Sequence, residues 1–123
     1  MHRLEQTWPE YSTMTVACII RYQIDPFQRE GFAQHAARLI GPVPRCGGNL
    51  VGFFLPYKGT NDIAWALVLF ENLAAYEAYK ARFNADPEAR ADVAVMQRRR
   101  IIVREERNVV HLVPGTYNIP PRG

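Results

Sequence analysis

A predicted β-hairpin places the strongest constraint on how this chain can fold. Two apolar segments, residues 49–58 and 63–71, flank a turn of sequence Gly-Thr-Asn-Asp at 59–62. Gly59 adopts positive φ at little cost and the Asn-Asp pair suits a turn, so the segments are predicted to pair as antiparallel strands. Alternation places apolar side chains on both faces of this hairpin, with Leu50 and Phe53 on opposite faces.

The two apolar faces of the hairpin predict a second cover for the sheet. An antiparallel sheet packed on helices usually has one polar face, and this one does not. About eight bare apolar side chains, each contributing about 1.5–3 kcal/mol when buried, would forgo an amount comparable to a domain's stability of about 5–15 kcal/mol. We therefore expect a homodimer in which two sheets pack face to face.

Composition indicates one globular domain and argues against several classes of protein. The chain has 123 residues, of which 48% are hydrophobic and 22% charged. The formal net charge of +3 does not form a one-signed stripe, because Glu105 and Glu106 follow the arginines at 98–100. A nucleic-acid partner is therefore not expected. No segment approaches transmembrane length, so no membrane partner is expected either.

The cysteines and the termini suggest a cytoplasmic protein. Cys18 and Cys46 form neither a disulfide framework nor a zinc motif, and the amino terminus lacks a secretory signal. Met14 directly precedes the first predicted strand and is an alternative start. We expect residues 1–14 to be a flexible tail, residues 15–114 to form the domain, and residues 115–123 to form a second tail.

Strands and helices are predicted in the order βαββαβ. Residues 15–24 alternate as a strand, and Asp25 with the following proline begins a helix over residues 27–40. Two prolines and two glycines predict an irregular link at 42–48. After the hairpin, Asn72 caps a second helix, Asp86 caps a third, shorter helix ending near the arginine triplet, and residues 101–113 form the last strand. This order predicts an α+β, ferredoxin-like fold with a four-stranded antiparallel sheet.

Five short segments, taken in order along the chain, resemble the NIPSNAP family. They are Ile20-Arg-Tyr-Gln-Ile-Asp-Pro26, Pro44-Arg-Cys-Gly-Gly48, Gly52-Phe-Phe-Leu-Pro56 with Gly59-Thr-Asn61, Asn72-Leu-Ala-Ala-Tyr-Glu-Ala-Tyr79 and Val103-Arg-Glu-Glu-Arg107. The resemblance spans Val16 to Pro114. It implies a dimeric α+β barrel and a distant similarity to antibiotic-biosynthesis monooxygenases, although most members of the family have no assigned reaction.

The chain departs from the family pattern at two places. Tyr57-Lys58 stands where many relatives have a His-Glu pair, which removes a candidate proton carrier. Asn108-Val-Val-His111 stands where an aromatic residue is usual. A family-level catalytic role is therefore not transferred to either position.

A group of aromatic and cationic side chains is the candidate ligand-binding site. In a cavity between sheet and helices, Tyr and Trp can contact a flat organic molecule, and Arg can neutralise a phenolate or carboxylate. The candidates are Arg21, Tyr22, Arg45, Tyr57 and Trp65. Structural roles are the alternative: packing for Tyr22 and Trp65, and an ion pair with Glu106 for Arg21.

Histidine and cysteine offer weaker candidates for catalysis. His35 is interpreted as a residue at the edge of a buried helical stripe, with a general base or haem ligand as the alternative. Neither His35 nor His111 has a carboxylate or thiolate at ligand spacing, so no metal site is predicted. Arg45 and the adjacent glycines could lower the pKa of the Cys46 thiol, but a packing role is simpler.

Three functions remain open from the sequence. The first is binding of a small, partly aromatic metabolite; the second is a cofactor-free monooxygenase or isomerase; the third is a non-catalytic interaction module. No cofactor is expected. Two or more of Arg21, Tyr22, Arg45 and Tyr57 facing a cavity would favour the first two functions, and a filled apolar interior would favour the third.

Overall fold

A computed structural model describes residues 15–116 and confirms the predicted order of elements. The strands are β1 (Val16–Ile24), β2 (Asn49–Phe54), β3 (Ile63–Phe70) and β4 (Ile102–His111). The helices are α1 (Arg29–Arg38), α2 (Pro42–Arg45), α3 (Leu73–Ala85) and α4 (Pro87–Arg99). The predicted amino-terminal tail and most of the predicted carboxy-terminal tail lie outside the described residues.

The four strands form one antiparallel sheet in the order β2-β3-β1-β4. This order and the two helical crossovers confirm the α+β, ferredoxin-like fold class. Every second residue of β1 is buried and faces the helices together with alternate residues of β3. The hydrophobic core therefore lies between the helices and one face of the sheet.

The three predicted helix starts are confirmed by side-chain caps. The Asp25 carboxylate accepts a hydrogen bond from the Phe27 amide at 2.9 Å, at the start of a 3-10 turn (Pro26–Gln28) that leads into α1. Asn72 accepts from the Ala75 amide at 2.8 Å, and Asp86 accepts from the Ala89 amide at 3.0 Å. Each cap satisfies an amide that has no partner inside its own helix.

Two predictions about the helices were wrong. The link predicted to be irregular contains a helical turn, α2, in which the Cys46 amide donates to the Pro42 carbonyl at 3.0 Å. Prolines are tolerated there because the first turn of a helix does not use its amide donors. The third predicted helix is not shorter than the second, since α3 and α4 each have 13 residues.

A β-bulge in β2 corrects the predicted alternation of the hairpin. The register shifts between Leu50 and Gly52, so Leu50 pairs with Val68 while Phe53 pairs with Ala66. Leu50 and Phe53 therefore both pack against the core, not on opposite faces. An extra residue in one strand inverts the alternation beyond it, which a strict period of two does not predict.

The outer face of the sheet is apolar along the hairpin and charged towards β4. Trp65 lies on this face and is 42% exposed, with Leu67 beside it on the same strand. Opposite Trp65 on β1, Arg21 forms an ion pair with Glu106 of β4 at 3.5 Å. The ion pair considered for Arg21 is thus confirmed, whereas a uniformly apolar outer face is not.

None of the helices between residues 15 and 116 is long and apolar enough to span a membrane.

Candidate functional site

A cavity of about 620 Å³ lies between the helices and the inner face of the sheet. Its apolar and aromatic lining comes from both the helices and the sheet: Leu39, Val43, Phe53, Val68, Tyr76, Phe83, Val93, Met96 and Ile102. Its polar lining consists of Tyr22, His35, Tyr79, Lys80, Asn84, Gln97, Glu105 and Arg107. A wall that combines apolar and aromatic side chains with several polar groups can hold a small organic molecule.

A buried histidine and a buried carboxylate meet at the cavity wall. His35 of α1 and Asp92 of α4 are 4% and 5% exposed. The Nδ1 atom of His35 forms a short hydrogen bond with Oδ2 of Asp92, and Arg38 Nε donates to the other oxygen, Oδ1, at 2.7 Å. Because Nδ1 can only donate to an ionised carboxylate, this contact leaves Nε2 of a neutral ring as an acceptor.

The environment of His35 favours its neutral form. Burial lowers the pKa of the imidazole below its usual value, and this outweighs the opposing effect of the Asp92 carboxylate. The Arg38 charge also lowers this pKa, and the Glu105 charge raises it. Phe32 and Phe53 pack on the ring at centroid distances of 5.6 and 6.2 Å. The aromatic enclosure thus makes a charged imidazole costly.

Among the buried side chains that line this cavity, three polar atoms have no hydrogen-bond partner within the described residues: Nε2 of His35 and the hydroxyl oxygens of Tyr22 and Tyr79. All three side chains are at most 7% exposed. Across residues 15–116, the one fully enclosed side-chain polar atom without a partner is Oγ1 of Thr15. The other three atoms therefore keep contact with the open space of the cavity.

The two tyrosine hydroxyls stay protonated at neutral pH. Burial raises the pKa of Tyr22 well above its usual value, and Glu105 raises it further. Burial likewise raises the pKa of Tyr79. Both hydroxyls are therefore neutral donors that can give a hydrogen bond to a ligand oxygen.

Arg107 of β4 supplies a positive charge at the edge of the cavity. It pairs with Ile20 in the sheet register and its side chain is 40% exposed. Its guanidinium forms a short ion pair with Glu105, two residues earlier on the same strand face. Burial opposes the charged form, but Glu105, together with the weaker effects of Cys18 and Tyr22, outweighs burial and raises the pKa of Arg107. The cavity thus contains a permanent cation within reach of one carboxylate.

Of the five residues predicted to bind ligand, Tyr22 lines this cavity. Arg21 and Trp65 lie on the outer face of the sheet. Tyr57 follows β2 and is 88% exposed. Arg45 ends α2 and forms an ion pair with Asp86 at 2.8 Å. The structure does not bring the five together, and their contact with a ligand stays a prediction.

The sequence interpretation missed the partner of His35. It found no carboxylate at ligand spacing, but the fold brings Asp92 to His35 across 57 positions of sequence. A signal was present in α4, where Asp92 shares the buried stripe of Ala89 and Met96. A carboxylate in such a stripe needs a buried partner.

The described residues contain no group of three potential metal ligands.

The thiol considered for catalysis is not activated. Cys46 and Cys18 are both free and buried. Burial raises the pKa of the Cys46 thiol, and the effect of Arg45 in the opposite direction is smaller. Burial also raises the pKa of Cys18. Both cysteines therefore act as apolar packing residues.

The fold places this chain among small α+β proteins in which helices cover one face of a four-stranded antiparallel sheet. Sequence comparison then identifies its family. The NIPSNAP family profile matches residues 17–115. The chain therefore belongs to the NIPSNAP family. No curated protein sequence matches it.

Solved structures share the fold at low sequence identity. An uncharacterised NIPSNAP-like domain protein from Burkholderia xenovorans has a TM-score of 0.75 at 23% identity, covering 88% of this chain and 93% of the other. A NIPSNAP family protein of unknown function from Agrobacterium tumefaciens has a TM-score of 0.70 at 19% identity, covering 82% and 93%. SnoaB, a cofactor-independent oxygenase from Streptomyces nogalater, has a TM-score of 0.52 at 16% identity, covering 87% and 98%.

His35 should make stability depend on pH in a defined direction. Its folded-state pKa is lowered, so below about pH 6.5, where an unfolded histidine titrates, the unfolded chain binds a proton more readily than the native one. We expect the free energy of unfolding to fall more between pH 7.5 and 5.5 in the wild type than in His35→Gln. Urea denaturation at fixed protein concentration measures both values.

The matched control is His111→Gln, which replaces an exposed histidine and should lose as much stability as the wild type over this range. Carboxylates titrate in the wild type and in both variants, so their contribution to the loss of stability cancels in the comparison. Equal losses in His35→Gln and the wild type would show that His35 is not held neutral.

Proposed function

We propose that this protein binds a small, partly aromatic metabolite that carries an anionic or carbonyl oxygen, in the cavity between sheet and helices. The observation that carries the proposal is the presence of three unpartnered polar atoms, on Tyr22, Tyr79 and His35, in buried side chains that line one cavity. Each of these atoms reaches the open space of the cavity, so a ligand there can accept hydrogen bonds from the two hydroxyls and donate one to Nε2, each worth about 0.5–1.5 kcal/mol.

The shape and charge of the cavity support this class of ligand. Its volume of about 620 Å³ falls within the range of about 300–1,000 Å³ that is usual for small-molecule sites. The rings of Phe53, Tyr76 and Tyr79 offer faces for an aromatic group. Arg107 can pair with a carboxylate or phenolate. Of Arg21, Tyr22, Arg45 and Tyr57, only Tyr22 lines the cavity, so the criterion of two or more inward-facing residues is not met. The cavity is neither filled nor wholly apolar, so it does not favour the non-catalytic interaction module either.

The hydroxyl of Tyr22 should contribute to ligand affinity, and that of Tyr57 should not. Tyr22→Phe removes one hydrogen bond worth about 0.5–1.5 kcal/mol and should weaken binding by about 2- to 12-fold. Tyr57→Phe removes the same atom from an exposed ring and should leave binding unchanged. Calorimetry with a panel of aromatic acids, phenylpyruvate among them, measures both affinities. Absence of binding across the panel would contradict the proposal.

We further propose that the protein forms a homodimer through the outer face of its sheet. The helices cover the inner face, and Trp65 and Phe54 leave large apolar surfaces exposed on the hairpin side of the outer face. Exposed apolar patches of this kind mark interaction surfaces. The ion pairs of Arg21 and Arg104 with Glu106 form the polar border of the patch.

A charge placed in the middle of this patch should separate the two subunits. Trp65→Glu would bury a carboxylate between apolar surfaces, so we expect sedimentation to show a monomer at micromolar concentration while the wild type is a dimer. Phe27→Glu places the same charge at an exposed aromatic residue outside the sheet and should remain a dimer. A monomeric wild type would contradict the proposed interface.

A second candidate function is a cofactor-free monooxygenase or isomerase. It is favoured by the His35–Asp92 pair at the cavity wall, because such a pair can accept a proton from a bound phenol or carbon acid. The fold shared with SnoaB, a cofactor-independent oxygenase, is consistent with this chemistry.

We retain the predicted cytoplasmic location, which the two free, buried cysteines support.

Oxygen uptake separates the monooxygenase from the isomerase. With a panel of quinols and polyketide-like phenols, a monooxygenase should consume oxygen above the buffer rate, and His35→Gln should abolish the increase. An isomerase consumes none. No consumption with any phenol would exclude the monooxygenase for this panel of substrates.

A further inference from the structure

We propose that His35 is a catalytic base that removes a proton from the carbon next to a carbonyl group, with Tyr22 and Tyr79 stabilising the enolate oxygen. This inference rests on the proposed binding of a small aromatic ligand in the same cavity. It goes further by naming a reaction, the substrate class and the role of each residue.

The geometry around His35 gives a base of defined orientation. Asp92 accepts the Nδ1 proton, so the lone pair of the ring is on Nε2, and this nitrogen has no partner among residues 15–116. Arg38 Nε holds the second oxygen of Asp92 at 2.7 Å, which fixes the carboxylate. Asp92 and Arg38 are therefore positioning residues, and the Asp92 charge also stabilises the imidazolium that forms.

The tyrosines complete the requirements of an enolisation site. In the proposed step the Cα–H bond of the substrate breaks, and its proton moves to Nε2 of His35. The electron pair forms the C=C bond while the carbonyl π electrons move to oxygen. The hydroxyls of Tyr22 and Tyr79, protonated and unpartnered in the cavity, donate hydrogen bonds to that oxygen. Return of the proton to carbon or to the enolate oxygen gives the ketone or the enol, so no oxidant, reductant or cofactor is consumed.

The lining identifies the substrate class as an aryl-substituted carbonyl compound with an enolisable C–H bond. The aromatic wall of Phe53, Tyr76 and Phe83 suits a ring. Arg107 at the edge of the cavity suits a carboxylate, which makes an aryl 2-oxo acid the best match of shape and charge. A neutral aryl ketone has the same reactive carbon without that charge.

Hydrogen–deuterium exchange tests the step directly. Phenylpyruvate and the neutral ketone phenylacetone are incubated in D₂O with the full-length protein, and loss of the benzylic proton signals is followed by NMR. We expect the wild type to accelerate exchange above the buffer rate, more for phenylpyruvate than for phenylacetone. His35→Gln should lower the enzymatic rate by at least about 100-fold, which is the lower end of the range usual for a general base.

Variants that keep the packing guard against a simple loss of folding. Tyr79→Phe deletes one donor to the enolate and should lower kcat by at least about tenfold with little change in KM. Asp92→Asn should lower kcat and displace the pH profile, a readout that a purely structural role would not move. His111→Gln, at an exposed position outside the cavity lining, should exchange at the wild-type rate.

The outcomes separate this inference from the proposal on which it rests. Binding of phenylpyruvate in calorimetry with no exchange above buffer, or exchange that survives in folded His35→Gln, would overturn the catalytic role and leave the ligand site intact. Absence of both binding and exchange would contradict the ligand site and the catalytic role together. Exchange that depends on His35 and Tyr79 but not on His111 would support both.

Discussion

The contact between His35 and Asp92 is the interaction on which the described site depends. It joins α1 to α4 inside the protein, where both side chains are almost fully buried. A buried carboxylate is costly unless its oxygens are paired, and here His35 takes one oxygen and Arg38 the other. Replacing a buried ion pair with apolar residues of similar size is often neutral or stabilising. We therefore interpret the contact between His35 and Asp92 as orienting the imidazole ring and holding α1 to α4, and not as a main source of stability.

Two consequences follow from this contact for the cavity. The helices α1 and α4 are held over the inner face of the sheet, and the space between them remains open to about 620 Å³. The imidazole ring is oriented so that Nδ1 donates to Asp92, while Nε2 has no hydrogen-bond partner among the described residues. On the outside, Arg45 pairs with Asp86 and Glu88, so α2 is tied to the start of α4 as well. Charge pairs thus frame the cavity, and Arg107 pairs with Glu105 in its lining, while Nε2 of His35 and the hydroxyls of Tyr22 and Tyr79 lack partners among the described residues.

Much of the fold could be predicted from sequence because its determinants are local. Caps at Asp25, Asn72 and Asp86 and the alternation in β1 act over a few residues, and each was confirmed. The β2 bulge and the α2 turn were missed, because both depend on how the chain packs and not on residue type alone. Of the predicted site, Tyr22 reaches the cavity because alternation in β1 points it inward. Asp92 was not identified because its partner, His35, is 57 positions away in the sequence. Arg107 was not identified because the sequence does not show which face of β4 its side chain is on.

The protonation state of the His35 ring tests the central claim most directly. Long-range ¹H–¹⁵N NMR of the uniformly labelled protein at pH 7 reports which ring nitrogen carries the proton. The account predicts a neutral ring with the proton on Nδ1 and an unprotonated Nε2, and a change at Nε2 when an aromatic acid binds. A ring protonated on Nε2, or on both nitrogens, would contradict it, because no lone pair would then face the cavity.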